Sequence, residues 1–119
     1  MTNNLNKLKP LFQSNTIVNI QLGLMLALGQ GCTWEYIAEK CLTGWLVDQW
    51  KGLDENEVDF YPINLEETIY FGITRVNGVY TIKKQFNSTN YKIIIKNENN
   101  LLKESIQPMI EFLKLIHET

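Results

Sequence analysis

The acidic run "DENEVD", residues 54–59, is the densest group of side chains in this chain that could carry chemistry. Its spacing supplies three ligands of a calcium loop, but the glycine and the closing glutamate that such a loop requires are misplaced. We therefore favour a solvated acidic loop and predict no metal site. Residues 52–67 contain no base and six acids, which are Asp54, Glu55, Glu57, Asp59, Glu66 and Glu67.

A second pair of carboxylates, Glu35 and Glu39, lies at helical i, i+4 spacing and would share one face of a helix. Such a pair could act as general acid and general base, which is the basis of one alternative, an enzyme that lacks a recognisable motif. A solvent-exposed helix face beside Lys40 is the interpretation we favour. The single histidine is His117, and no phosphate-binding loop, nucleophile elbow or dinucleotide motif occurs. We therefore predict no catalytic residue and no cofactor.

Charge and cysteine content limit the binding partners and the cellular compartment that the sequence is compatible with. The chain of 119 residues, a length that suits one domain (1–119), has a net charge of −2. This balance argues against broad nucleic-acid binding, because such binding requires a basic surface. Cys32 and Cys41 match no zinc pattern, and we expect free thiols in a cytoplasmic protein. A modest basic sheet surface, able to touch single strands or to block edge aggregation, would come from Lys83, Lys84, Lys92 and Lys96.

The most apolar stretch is "NIQLGLMLALGQGCTW", residues 19–34. The apolar run from Ile17 to Leu28 is too short to span a bilayer and is interrupted by polar residues. No cleavage site of a secretion signal follows it. Its periodicity predicts a buried helix of a soluble domain, with Asn19 and Gln21 on the wetter side. The apolar stripe consists of Ile17, Ile20, Leu24 and Leu28, broadened by Leu22, Met25 and Leu26.

The segment "LFQSNTIVNIQLGLMLALGQG" around this helix carries a pattern of apolar residues followed by a glycine-containing turn. The residues that carry the pattern are Asn19, Ile20, Leu22, Leu24 and Leu26, then Gly29 to Gly31. Residues 11–31 thereby resemble a short helical segment of Bacteroidetes-type proteins, which often precedes leucine-rich repeats. No such repeats follow here, and the resemblance implies a bacterial, interaction-type context.

Two further helices are predicted beside this one. Residues 4–14 form a short first helix, which Pro10 either begins or breaks. The third helix is "TWEYIAEKCLTGWLVDQWK", which Gly44 bends or splits. Its Trp45 and Trp50 have two interpretations: they seal the helices against a sheet, or one of them is an exposed anchor for a partner.

The second half of the chain predicts an antiparallel meander. "VDFYPI" is a short strand, placed at an edge because of Pro62. Asn77-Gly78 between alternating runs is typical of a type I′ hairpin, whose two-residue loop pairs Val76 with Val79. "YKIIIK" adds a further strand. The apolar face of the hairpin is predicted to contain Ile69, Phe71, Ile73, Tyr80, Ile82 and Phe86.

A closing helix follows the meander, and Pro108 kinks it or starts its second half. Its buried face is predicted to contain Leu102, Ile106, Met109, Ile110, Leu113 and Ile116. Together these elements predict an α+β fold with three N-terminal helices, an antiparallel β-meander of three to four strands and a C-terminal helix.

The absence of catalytic motifs and the acidic segment at residues 54–67 favour a non-enzymatic protein-binding domain. The expected type is an immunity protein, an antitoxin or a phage-encoded inhibitor, and the expected partner is a basic-surfaced toxin or enzyme. A homodimer is also compatible with the sequence. A remaining alternative is a small-ligand-binding or sequestering domain with a pocket between sheet and helices, lined by Trp45, Phe71 and Tyr80. The predicted binding residues are Asp54, Glu55, Glu57, Asp59, Tyr61, Trp45 and Trp50.

Overall fold

The computed structural model describes residues 5–14, 16–62, 70–86 and 89–118. The helical elements before the sheet are α1 (Leu5–Phe12), α2 (Ile17–Gly29), α3 (Trp34–Ile37), a π-helical segment (Ala38–Thr43) and α4 (Gly44–Trp50). The strands are β1 (Val58–Pro62), β2 (Tyr70–Val76), β3 (Val79–Phe86) and β4 (Thr89–Ile95). A 3₁₀ turn (Glu98–Asn100) and helix α5 (Leu101–Glu118) complete the chain.

These elements form an α+β fold, and the predicted order of N-terminal helices, antiparallel meander and C-terminal helix is confirmed. The chain divides into two compact units, a helical unit of Met1–Leu46 with Ile106–Thr119 and a sheet unit of Val47–Ser105. The expectation of a single domain covering the whole chain stays a prediction. Within the described ranges, no helix combines the length and the apolar content that crossing a bilayer requires.

Helices α1 and α2 pack closely because α2 has a glycine where the two meet. A Cβ built on Gly23 would lie 2.8 Å from the ring of Phe12, which is completely buried. The absence of a side chain at this position therefore admits the ring. Pro10 lies inside α1, and the helix ends two residues further on at Phe12.

Helix α2 buries the middle of the predicted inner stripe, whereas Ile17 and Leu28 at its ends are half-buried and the residues expected to broaden it are exposed. Ile20 and Leu24 are buried, together with Ala27. The prediction that Asn19 and Gln21 mark the solvent-exposed side of α2 was wrong. Both residues are half-buried, and Nε2 of Gln21 donates a hydrogen bond of 3.0 Å to the carbonyl of Ile116. Three residues predicted to face inwards are instead exposed, namely Leu22, Met25 and Leu26.

The third predicted helix is divided, although not by a kink at a single residue. The chain runs from α3 through the π-helical segment into α4, which begins at Gly44. Thr33 caps the start, because its hydroxyl accepts a hydrogen bond from the amide of Tyr36 at 3.1 Å. Both cysteines are free thiols, as expected, and burial raises the pKa of Cys41 to about 11. Cys41 is therefore a protonated thiol at neutral pH.

Helix α5 is continuous over 18 residues and contains Pro108 in its interior. Its buried residues include Met109, Leu113 and Ile116, as the periodicity predicted. The start of the stripe is shifted by one position, because Leu101 is buried and Leu102 is 38% exposed.

The sheet is an antiparallel meander of four strands in the order β1-β2-β3-β4, with β1 at an edge as predicted. Val76 pairs with Val79 and Ile73 with Ile82, which confirms the register expected from the hairpin turn. Asn77 and Gly78 have φ values of 53° and 74°, the positive values that a type I′ turn requires. Phe71, Ile73, Tyr80 and Ile82 are buried on one face, while Ile69 and the side chain of Phe86 lie outside the described residues.

The basic sheet surface predicted from four lysines has to be corrected at Lys84. This residue pairs with Phe71 across the hairpin and is only 1% exposed. Residues directly opposite each other on paired antiparallel strands lie on the same face of the sheet, so the register that places Phe71 inside also places Lys84 inside. Lys83, Lys92 and Lys96 are exposed.

Candidate functional site

The acidic segment forms a turn that is tied to the end of strand β2. The amide of Asn56 donates a hydrogen bond of 2.7 Å to the carbonyl of Arg75, and Nη1 of Arg75 donates one of 2.7 Å to the carbonyl of Leu53. Asn56 adopts a left-handed conformation with φ of 67°, a conformation that asparagine tolerates better than most residues. We call residues 54–57 the acidic turn.

Glu55 connects the acidic turn to the tip of the hairpin. Its Oε1 accepts a hydrogen bond of 2.9 Å from the amide of Gly78, and its Oε2 accepts one from the amide of Asn77. The guanidinium of Arg75 adds an ion pair, with 4.0 Å between Nε and Oε1. These two amides, and to a lesser extent Arg75, hold the pKa of Glu55 below its usual value of 4.5. The Glu55 carboxylate is thus an internal bridge as well as a surface charge.

The remaining carboxylates of the acidic turn face solvent. Asp54 and Glu57 are both exposed, and Oε1 of Glu57 accepts a hydrogen bond of 2.9 Å from the amide of Asp54. The carbonyl of Asp54 accepts a bond of 3.1 Å from the amide of Glu57, which closes the turn. The structure thus brings Asp54, Glu55 and Glu57 together on a fixed backbone. Glu66 and Glu67, the other two acids of the segment, lie outside the described residues.

Asp59 and Tyr61 belong to strand β1 and form a separate polar chain with Trp50. The hydroxyl of Tyr61 donates a hydrogen bond of 2.9 Å to Oδ2 of Asp59, and Nε1 of Trp50 donates one of 3.5 Å to that hydroxyl. Burial raises the pKa of Tyr61 above its usual value, and the neighbouring Asp59 adds to the increase. Tyr61 is therefore a neutral hydrogen-bond donor at physiological pH.

The two tryptophans predicted as binding residues differ in burial. Trp50 is completely buried and stacks on Phe71, with 5.8 Å between the ring centroids. This is a position for packing and not for contact with a partner. Trp45 is half-buried and belongs to the helical unit.

The residues proposed to line a ligand pocket with Trp45 are also buried. Phe71 and Tyr80 are 0% and 1% exposed, and the Tyr80 hydroxyl donates a hydrogen bond of 2.9 Å to Oε1 of Glu98. Burial and the neighbouring Glu98 raise the pKa of Tyr80. The guanidinium carbon of Arg75 lies 5.7 Å from the centre of the Tyr80 ring.

A cleft in the helical unit was not predicted. It has a volume of about 380 Å³ and is lined by Thr33, Trp34, Glu35, Gln107, Ile110 and Lys114. Nζ of Lys114 lies 5.7 Å from the centre of the Trp34 ring, and the His117 ring meets that ring edge-on with centroids 5.6 Å apart. Glu35 and Lys114 are far apart in sequence, so no local motif indicated the cleft.

The carboxylate pair of the enzyme alternative is divided between two surroundings. Glu35 lines the cleft, whereas Oε2 of Glu39 forms an ion pair of 3.1 Å with Lys40, the residue expected beside it on a solvent face. His117 is exposed in the last turn of α5. Among the described residues, no group of three or more histidine, cysteine, aspartate or glutamate side chains is placed to hold a metal ion.

Compared with protein-family models, curated proteins and solved structures, the chain matches none. The resemblance of residues 11–31 to a Bacteroidetes-type helical segment therefore stays a prediction.

Proposed function

We propose that the protein is a non-enzymatic protein-binding domain whose acidic turn contacts a basic surface of its partner. The observation that carries the proposal is the fixed geometry of the turn, in which Glu55 is bound to the hairpin while Asp54 and Glu57 stay exposed. A turn whose backbone is already ordered loses little conformational entropy when its charged side chains bind a partner. Complementary charge also accelerates association and selects partners by sign.

An immunity protein, an antitoxin or a phage-encoded inhibitor fits this chemistry. Carboxylates on a small domain are able to occupy the basic site at which a nuclease or another toxin binds phosphate. We also propose that the protein is cytoplasmic, because both cysteines are free thiols and reducing compartments keep thiols in that state.

The test is a capture experiment that compares two variants of equal charge. Asp54→Asn with Glu57→Gln neutralises the acidic turn but leaves Glu55 on the hairpin, and glutamine retains an oxygen acceptor for the Asp54 amide. Tagged wild-type protein should retain a stoichiometric protein partner from the host extract at low salt and lose it at high salt. The double variant should lose that partner at both salt concentrations.

The matched control is Glu104→Gln with Glu118→Gln, which removes the same charge from two exposed positions of α5. It should retain the partner. Equal loss in both double variants would attribute binding to net charge alone and contradict a site at the acidic turn. Full retention by the Asp54 and Glu57 variant would contradict it as well.

A second candidate function, the binding of a small ligand, is favoured by the cleft at Trp34. Its volume of about 380 Å³ lies in the range of ligand sites, and it combines an aromatic ring with the charged Glu35 and Lys114. Native mass spectrometry of the captured wild-type protein separates the candidates. A bound small molecule without a protein partner would support the cleft, and a protein partner without a small molecule would support the acidic turn.

A further inference from the structure

Helix α2 is apolar on two opposite sides, and the described residues cover only one of them. Ile20, Leu24 and Ala27 are buried, but four large apolar side chains on the other side are exposed. The exposed fractions are 73% for Val18, 43% for Leu22, 63% for Met25 and 42% for Leu26. A helix that is apolar all round is typical of one that is buried on all sides. We call these four residues the α2 stripe.

The spacing of the α2 stripe corresponds to one continuous helix face. Its positions follow the pattern i, i+4, i+7 and i+8, and eight residues of helix extend about 12 Å along the axis. The steps of four and three from Val18 to Leu22 and Met25 are those of a seam that packs against another helix. The stripe is therefore shaped for a second helix.

The second feature of α2 is the absence of charge. None of its 13 residues, IVNIQLGLMLALG, is acidic or basic. A helix that lies on a lipid surface normally carries lysine or arginine beside its apolar face, and α2 carries neither. Two copies of α2 would bring no like charges together, so charge repulsion does not oppose a two-fold pairing of the α2 stripe.

We propose that the α2 stripe is a homodimer interface, in which the α2 helices of two copies of this chain pack against each other. Two-fold dimers are the commonest oligomers, and in them the same patch of each copy meets the other. Residues of this size at these exposed fractions present roughly 400 Å² per copy, about the area of the largest apolar patch on a typical monomer, and such patches are often functional. A stable interface buries about 800 Å² per partner. The α2 stripe supplies about half of that area, so the proposed dimer is weak and dissociates on dilution.

The α2 stripe and the acidic turn share no residue. Substitutions in the α2 stripe therefore leave the side chains of the acidic turn unchanged, and the failure of one proposal would leave the other standing.

The test is sedimentation velocity of the full chain from micromolar to millimolar concentration. The wild-type protein should shift from monomer to dimer over this range. Met25→Lys places two charges inside the paired seam and should raise the dimer dissociation constant by at least about tenfold. Ile94→Lys is the matched control, because Ile94 is an apolar residue of strand β4 that is 62% exposed and the substitution also introduces a lysine. It should leave the dissociation constant unchanged.

A second measurement uses the symmetry of the pair. Leu22 lies near the middle of the stripe, so in a two-fold pair it faces its own copy. Leu22→Cys in a Cys32→Ser background should form a disulfide-linked dimer on mild oxidation, and Ile94→Cys in that background should not. Circular dichroism of each variant confirms that it is folded.

Three results would overturn the homodimer. One is a wild-type protein that stays monomeric at millimolar concentration. Another is an equal response of Met25→Lys and Ile94→Lys. The third is a monomer that sediments with vesicles of phosphatidylcholine and phosphatidylglycerol and is released by Met25→Lys, because this would assign the stripe to a lipid surface.

Discussion

Helix α2 and the tip of the β2–β3 hairpin are held in place by different kinds of interaction. The inner side of α2 meets α1 through the ring of Phe12, which fills the space left by Gly23. The hairpin tip is held by hydrogen bonds from the amides of Asn77 and Gly78 to the carboxylate of Glu55. The first contact is apolar and depends on volume, whereas the second is polar and depends on protonation and backbone conformation.

This difference determines what each region tolerates. A close-packed apolar contact responds to the addition of a single methyl group, but not to pH. A turn with two residues at positive φ responds to the loss of glycine, and its carboxylate bridge responds to acid. Substitutions of each kind therefore separate the two modes of stabilisation.

The largest effect is expected at the packed contact between α1 and α2. Gly23→Val should lower the free energy of unfolding by about 1–3 kcal/mol, because the new side chain overlaps the buried Phe12 ring. Urea unfolding followed by circular dichroism measures the change. Gly29→Val is the control, since a Cβ at Gly29 meets nothing within 4 Å, and it should change the stability by less than about 0.5 kcal/mol. Equal stability of the two variants would show that Phe12 yields without cost.

A smaller effect is expected at the turn of the hairpin. Gly78 has φ of 74°, where an alanine Cβ is strained, so Gly78→Ala should cost about 1 kcal/mol. The matched control is Gly52→Ala in the same unit. A Cβ on Gly52 would lie at an ordinary 3.4 Å from the carbonyl of Gln49, and its φ is not positive. A thermal midpoint that is lowered equally by both substitutions would contradict the importance of the left-handed position.

The hairpin could be predicted because its information is local. The pair Asn77-Gly78 defines the turn type, the turn type defines the register, and the register defines which side chains share a face. The same register pairs Lys84 with Phe71 and therefore indicates that Lys84 is buried, although a lysine by residue type alone is expected at the surface. The burial of Lys84 could therefore have been predicted from the register, but the prediction of a basic surface relied on residue type instead.

The outer side of α2 and the role of Glu55 could not be predicted in the same way. Periodicity identifies apolar positions, but the covered side depends on which helices pack there, and the partners of α2 include Phe12 and the carbonyl of Ile116. The amides that Glu55 accepts from are 22 and 23 residues away along the chain. Tertiary contacts of this kind leave no mark on local composition, so the acidic segment indicated charge but not the bridge.

The smallest effect is expected when Glu55 loses its charge. Glu55→Gln should reduce stability slightly at neutral pH, because an amide oxygen accepts more weakly than a carboxylate and the amide nitrogen repels a second N–H donor. The pKa of Glu55 is held below 4.5 in the folded protein, so its contribution is present above that pH and is lost as the pH falls through the lower folded value. The difference in the free energy of unfolding between Glu55→Gln and wild type should therefore become smaller in acid.

Urea unfolding of both proteins at neutral pH and well below pH 4.5 measures this difference. Asp48→Asn, at an exposed position of α4, controls for the general removal of a negative charge and should show no such narrowing. A Glu55→Gln deficit that persists unchanged in acid would mean that the carboxylate charge contributes nothing to the bridge. In that event the hairpin tip would be held by turn geometry alone, and the fixed position of the acidic turn would depend on Arg75 and the Asn56 amide.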